Sequence, residues 1–187
     1  ISSRQNAHFK LARKLLGSAR ERAKARMTLL EGERLFNAYA RRFGLRDAVL
    51  LIRERPDPGG DQDPMGRFGL AKPTKGYLVA DALFSDISPV DTSEGIVALV
   101  PIPDPGTDEP GDFRVLLDGV QDPGNLGGLL RTAAAAGATS AYLGMGCADA
   151  WSPKSLRGGM GAQFVMPVYE KANLGAALDG FSGTVLA

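Results

Sequence analysis

The stretch Leu117-Asp118-Gly119-Val120-Gln121-Asp122-Pro123-Gly124-Asn125-Leu126-Gly127-Gly128-Leu129-Leu130-Arg131-Thr132-Ala133 decides the fold. It continues an apolar run, Phe113 to Leu117, that reads as a strand. Asp122-Pro123-Gly124-Asn125 is turn chemistry: Pro fixes φ, Gly admits positive φ, and Asn can cap the next helix. Leu126, Leu129, Leu130 and Ala133 recur at helical spacing and predict a buried face, with the helix reaching Ala136 and stopped by Gly137. A turn and a helix N-terminus at the carboxyl end of a strand is where open α/β sheets place ligands.

Gly127 and Gly128 fall in the first turn of that helix, where each costs up to about 1 kcal/mol relative to alanine. Two together imply that something approaches the backbone closely. Arg131 stands four residues after Gly127, and helical side chains lean toward the N-terminus. The spacing predicts its guanidinium over a bare Gly127 surface, near the Asn125 turn and open to a phosphate or ribose. The same spacing allows an internal pair with Asp118 or Asp122 instead.

Downstream, Ser140 to Leu143 reads as a second strand, and Ser152-Pro153 opens a helix with Ser as N-cap and Pro at the first helical position. Val165 to Tyr169 reads as a third strand, Leu174 to Leu178 as a helix, and Thr184 to Leu186 as a fourth, buried strand. Tyr142, Phe164 and Trp151 read as packing residues. Upstream, Pro101 to Gly111 holds four prolines and two glycines, so a linker is drawn at 101–112 between domains at 1–100 and 113–187.

In the first domain, Ser2 or Ser3 caps a helix that carries Phe9, Leu11, Leu15 and Leu16 and ends at Gly17. A basic loop follows over 20–26, then a short strand Met27 to Leu30 and a helix Glu33 to Phe43 closed by Gly44. Ala48 to Ile52 is a continuous apolar strand of the kind covered on both faces. Residues 56–69 read as a loop, Tyr77 to Val79 and Ile96 to Val100 as further strands. Strand–helix alternation argues a parallel sheet with helices on both faces.

Composition closes several doors. At 187 residues and 44% hydrophobic content, the chain can bury a real core and is not wholly disordered. No run reaches the apolar length of a membrane helix, and no apolar signal-peptide core opens the chain. One cysteine, Cys147, and one histidine, His8, leave no disulfide framework, no Cys/His zinc site and no credible Ser-His-Asp triad. Metal is not expected, Cys147 reads as an inert thiol, His8 as a surface residue, and a reducing, cytoplasmic setting follows as the default. Residues 1–46 hold 12 Lys and Arg against 3 Asp and Glu, whereas 47–187 hold 10 against 18. A basic arm on an acidic body suggests a polyanionic partner, RNA or DNA, or else a solvated helix face. The opening at Ile1 and the apolar close at Ala187 read as the ends of a fragment of a longer protein.

At these residues the chain resembles a family. Asp122-Pro123-Gly124-Asn125-x-Gly127-x-x-x-Arg131-Thr132-Ala133 looks like the first motif of the SpoU-type RNA ribose 2′-O-methyltransferases of the SPOUT superfamily. Ser152-Pro153-Lys154-x-x-Arg157-x-x-x-Gly161-Ala162 is similar to the helix that follows in that family, which often has Ser where this chain has Gly159. Arg22-x-Lys24 leading to Leu30-Glu31-Gly32-Glu33-Arg34-Leu35 resembles the RNA substrate-binding domain that precedes it.

The resemblance implies an α/β fold: a ribosomal-protein-like substrate domain followed by an incomplete α/β-knot methyltransferase domain. It implies S-adenosylmethionine as cofactor, ribosomal or transfer RNA as partner, and a homodimer. It makes Arg131 the catalytic arginine and Asn125 the shaper of the active turn. Arg20, Arg22, Lys24, Arg26, Lys154 and Arg157 become the RNA contacts. The family's two later motifs, which make the knot and most of the cofactor pocket, are absent before Ala187, so this chain alone is expected to be inactive and to bind the cofactor weakly or not at all. Two other readings stand beside it. One is a non-catalytic RNA-binding protein with a degenerate domain. The other is a Rossmann-type nucleotide enzyme, which lacks its glycine fingerprint because Gly144-Met145-Gly146 is followed by Asp149 at the required place.

Overall fold

The computed structural model describes residues 1–54, 75–106, 111–179 and 181–187; the loop read at 56–69 and part of the linker lie outside them. The chain divides into two compact units, Ile1–Ile102 with Trp151–Pro153, and Pro103–Ala150 with Lys154–Ala187.

The first unit runs α1 (Ala7–Gly17), α2 (Ala19–Ala25), β1 (Met27–Glu31), α3 (Glu33–Phe43), β2 (Val49–Arg53), β3 (Gly76–Val79), α4 (Asp81–Phe84) and β4 (Ile96–Pro101). Asn6, not Ser2 or Ser3, caps α1: its side-chain oxygen accepts from the backbone of His8 at 2.9 Å and Phe9 at 3.3 Å. Ser18 joins two helices. Its N–H donates to the Lys14 carbonyl at the end of α1, and its hydroxyl accepts from Glu21 N at 3.2 Å to start α2. Residues 19–25 are therefore helical, where a basic loop was expected. Alanine, arginine, lysine and glutamate are all good helix formers.

The sheet order is β1-β4-β2-β3. It is mixed rather than parallel: β4 runs antiparallel to both β1 and β2, with Leu99 opposite Leu29 and Val49, and only β2 and β3 are parallel. Strands covered on both faces read as apolar runs whichever way they point, so the run in β4 gave no direction. Phe9, Leu15, Leu29, Leu51, Phe84 and Leu99 are fully buried in the resulting core. α3 starts at Gly32, whose φ is +89°, and borrows a cap from a distant segment: Glu33 N donates to Glu94 Oε2 at 2.8 Å. Tyr39 on α3 donates its hydroxyl to Pro101 O at 2.9 Å, and burial, with the Asp47 charge second, pushes its phenol up to about 12.

The second unit runs β5 (Arg114–Leu117), α5 (Pro123–Ala135), β6 (Ser140–Leu143), α6 (Pro153–Gly159), a 3-10 turn (Ala162–Phe164), β7 (Val168–Tyr169) and α7 (Leu174–Asp179). Its three strands are parallel in the order β5-β6-β7, with Leu117 opposite Leu143 and Tyr142 opposite Tyr169. Helical crossovers between neighbours are what parallel pairing requires. Three expectations are corrected here. The third strand is only Val168–Tyr169, because the 3-10 turn takes up the chain before it. Thr184 to Leu186 forms no strand and is exposed, Leu186 at 90%. Tyr142 is half-buried rather than core and stacks on Tyr169 with ring centroids 4.8 Å apart. Phe164 and Trp151 are buried as read.

Candidate functional site

The site grows from the carboxyl end of β5. Gly119 turns the chain with φ +64°, and Val120 O accepts from Ala148 N at 2.8 Å. Leu117 O accepts from Gly144 N at 2.9 Å and from the Cys147 thiol at 3.2 Å. The loops leaving β5 and β6 are thereby tied together.

Asp122, not Asn125, is the N-cap of α5. Its Oδ1 accepts from Asn125 N at 2.8 Å, and Pro123 takes the first helical position. The correction has a simple cause: Asp before Pro supplies both the cap and the fixed φ, so the helix begins three residues earlier than the turn residues suggested. Asn125 is thus inside the first turn, its side chain exposed and without a hydrogen-bond partner among the described residues.

Leu126, Gly127, Leu130 and Ala133 form the buried face of α5. Leu129, expected in it, is 44% exposed because it stands at the edge of the stripe. The two glycines do different things. A Cβ on Gly127 would lie 2.3 Å from Ser155 O and 2.7 Å from Gly159 N, so α6 crosses α5 backbone to backbone there. A Cβ on Gly128 would meet nothing within 4 Å. The bare surface predicted to support Arg131 is therefore occupied by α6. Gly158 is part of the same crossing, since its Cβ would come within 2.9 Å of Gly124 O.

Arg131 itself is exposed and has neither an ion-pair nor a hydrogen-bond partner among the described residues. The internal pairing that its spacing also allowed is not made. Asp122 is instead engaged by Lys154, Nζ to Oδ2 at 2.6 Å. That lysine, helped by the Asn125 amide, holds the Asp122 carboxyl below its ordinary range. Lys154, expected on RNA, is thus committed to a carboxylate of its own chain.

The other expected RNA contacts separate. Arg20, Lys24, Arg26 and Arg157 are exposed. Arg22 is only 5% exposed and points inward, its Nη1 donating to Leu15 O and, at 3.4 Å, to Leu16 O. Those carbonyls end α1, and a cation satisfies them and the negative end of the helix dipole together. Arg22 is therefore withdrawn from the RNA-facing set. His8 is half-buried against Tyr77, ring centroids 4.7 Å apart. No group of three His, Cys, Asp or Glu side chains converges among the described residues.

Two residues of this region carried no sequence signal. Gln163 is buried, donates to Ala150 O at 3.0 Å, and fills the space beside Gly159, whose Cβ would lie 2.5 Å from its Oε1. The side-chain space that a serine at position 159 would need is taken by this amide. Glu170 accepts from Ala150 N at 2.8 Å and fixes the same loop from the other side.

With this geometry in hand, the chain can be set beside known proteins. Residues 112–185 match the model of the SpoU rRNA Methylase family. The 23S rRNA (guanosine(2553)-2'-O)-methyltransferase RlmP of Bacillus subtilis is 33% identical over 181 residues, 96% of this chain and 67% of that protein. The human mitochondrial rRNA methyltransferase 3 is 43% identical over 105 residues, 50% of this chain and 25% of that one. Among solved structures, the SpoU methyltransferase AviRb from Streptomyces viridochromogenes, in complex with AdoMet, superimposes with a TM-score of 0.73 at 26% identity, over 93% of this chain and 65% of that chain. The chain spans about two thirds of the length of the first and third of these and a quarter of the second.

Proposed function

The chain belongs to the SpoU rRNA methylase family, and from that premise we propose that it takes part in methyl transfer from S-adenosylmethionine to a ribose 2′-hydroxyl of ribosomal RNA. One observation carries the reading: Arg131 offers an exposed guanidinium with no partner among the described residues, on the helix that leaves the carboxyl end of β5, while the turn carboxylate Asp122 is already held by Lys154.

S-adenosylmethionine, when bound, would supply a sulfonium methyl to the ribose 2′-oxygen, with the thioether as leaving group and the hydroxyl proton passing to solvent. Asp118, Gly119, Gln121, Asp122 and Asn125 are all exposed. The turn therefore offers a wall to such a ligand, not an enclosure, and no residue of this chain is assigned to hold the adenosine. What the chain's own residues contribute is electrostatic and geometric. A guanidinium keeps its proton at any working pH, so Arg131 is not the base. It binds a backbone phosphate next to the target ribose and stabilises the negative charge that grows on the 2′-oxygen. Asn125 projects from the first turn of the same helix and shapes the wall. Holding the hydroxyl in line with the methyl is worth roughly 7–11 kcal/mol in favourable cases, which is why a rigid turn matters.

Arg20, Lys24 and Arg26 on and after α2, with Arg157 on α6, supply the phosphate contacts that carry affinity. The proposal extends to a cytoplasmic setting and a homodimer, supported by the single cysteine and by the resemblance alone.

In a protein that carries the family's later motifs after this chain, Arg131→Ala should lower methyl transfer to rRNA by about 10²–10³-fold, the usual loss for one preorganised charge-stabilising donor. Retained transfer removes Arg131 from the reaction. Neutralising Arg20, Lys24 and Arg26 together should weaken RNA binding and flatten its salt dependence, and an unchanged slope assigns the arm no role. RNA binding with no methyl transfer, even when the family's later motifs are present, is the result the non-catalytic reading expects.

A further inference from the structure

Lys154 was expected to meet an RNA phosphate, yet the structure gives it a different task. The Asp122 carboxylate serves two partners with its two oxygens. Oδ1 accepts from Asn125 N at 2.8 Å and caps α5, and Oδ2 receives Lys154 Nζ at 2.6 Å. The lysine stem has a slot made for it: a Cβ on Gly124 would lie 3.3 Å from Lys154 Cε and 3.0 Å from Asp122 Oδ1. Any side chain at position 124 would crowd the ion pair from within the turn. Behind it, α6 and α5 touch backbone to backbone at Gly127, so the lysine on the first turn of α6 stands over the first turn of α5.

Charge arithmetic favours the same assignment. A lone lysine beside a helix N-terminus faces the positive end of the dipole and is disfavoured there. The intervening carboxylate makes its position favourable. A phosphate that captured Lys154 would leave Asp122 unpaired next to a polyanion.

We propose that Lys154 is a positioning residue: by holding Asp122 it fixes the capped first turn of α5, from which Asn125 projects at the head of the helix that carries Arg131, and it makes no phosphate contact. This rests on the reading of Arg131 given above. Exposed ion pairs add little to global stability. The effect of losing this one should therefore appear in the placement of the turn, not in unfolding.

The test uses a protein that carries the family's later motifs after this chain, with Lys154→Met, Lys154→Arg, Asp122→Asn and the double variant Lys154→Met with Asp122→Asn. Asparagine keeps the capping oxygen and removes the charge. In the first measurement, NMR titration of the Asp122 carboxyl, Lys154→Met should move the midpoint up toward the ordinary carboxylate range and Lys154→Arg should restore it. In the second, methyl transfer, Lys154→Met should lower kcat several-fold with KM unchanged. Asp122→Asn should do the same, and the double variant should be no worse than either single one. The slope of log RNA affinity against log salt should stay at the wild-type value in all of them. An unmoved Asp122 midpoint overturns the proposal. So does a salt slope that falls by about 0.7–0.9 in Lys154→Met, the signature of one lost phosphate contact. If the wild-type protein carrying the later motifs transfers no methyl, the reading of Arg131 fails by itself, and the carboxyl titration and the salt slope still decide the role of Lys154.

Discussion

In the first unit, Phe9, Phe36 and Phe84 are fully buried among leucines and valines of a four-stranded sheet. In the second, the contact that sets the candidate site is made at Gly124, Gly127 and Gly158, where two helices approach with no side chain between them. One region is held by volume supplied, the other by volume withheld. The two therefore fail in opposite ways. Removing atoms opens a cavity in the first, and adding atoms forces backbone apart in the second.

The largest expected effect is on the filled side. Phe9→Ala should cost about 3–5 kcal/mol of unfolding free energy, read from denaturant melts. A loss below about 1 kcal/mol would mean that the α1 face is not the wall of the core. On the emptied side, Gly127→Ala places a methyl 2.3 Å from Ser155 O and should cost about 1–3 kcal/mol, even though alanine is the better helix former. A neutral or stabilising result would show that α5 and α6 do not cross at this point in solution. The smallest effect sharpens the contrast one residue away. Gly128→Ala meets nothing within 4 Å and should stabilise α5 by up to about 1 kcal/mol. If methyl transfer falls as stability rises, the substrate itself comes close to α5 at Gly128.

Much of the architecture was readable in the order of residues. α3 and β6 lie where the apolar spacing and the glycine stop put them, Glu33–Phe43 and Ser140–Leu143. The parallel sheet of the second unit follows from strand–helix alternation. What escaped was whatever depended on a partner far along the chain. The apolar run of β4 announced burial but not direction, and the cap of α3 comes from Glu94, sixty-one residues on. Within the candidate site the pair of glycines announced a close approach without naming what approaches. For Gly127 it is α6. Asp122 and Lys154 looked like a turn residue and a surface cation, and only folding places them 2.6 Å apart. Arg131 differs: its lack of a partner among the described residues is a property of the folded surface that spacing could not decide.

The inward turn of Arg22 has one more consequence. Formal charge along the arm overstates the field a polyanion meets there, because one of its guanidinium groups is spent on the carbonyls that finish α1. Alanine at that position would unravel a helix end long before it subtracted a contact. A drop in RNA affinity from that single change would report a broken scaffold, and only its outward-facing neighbours can map the footprint of a nucleic acid.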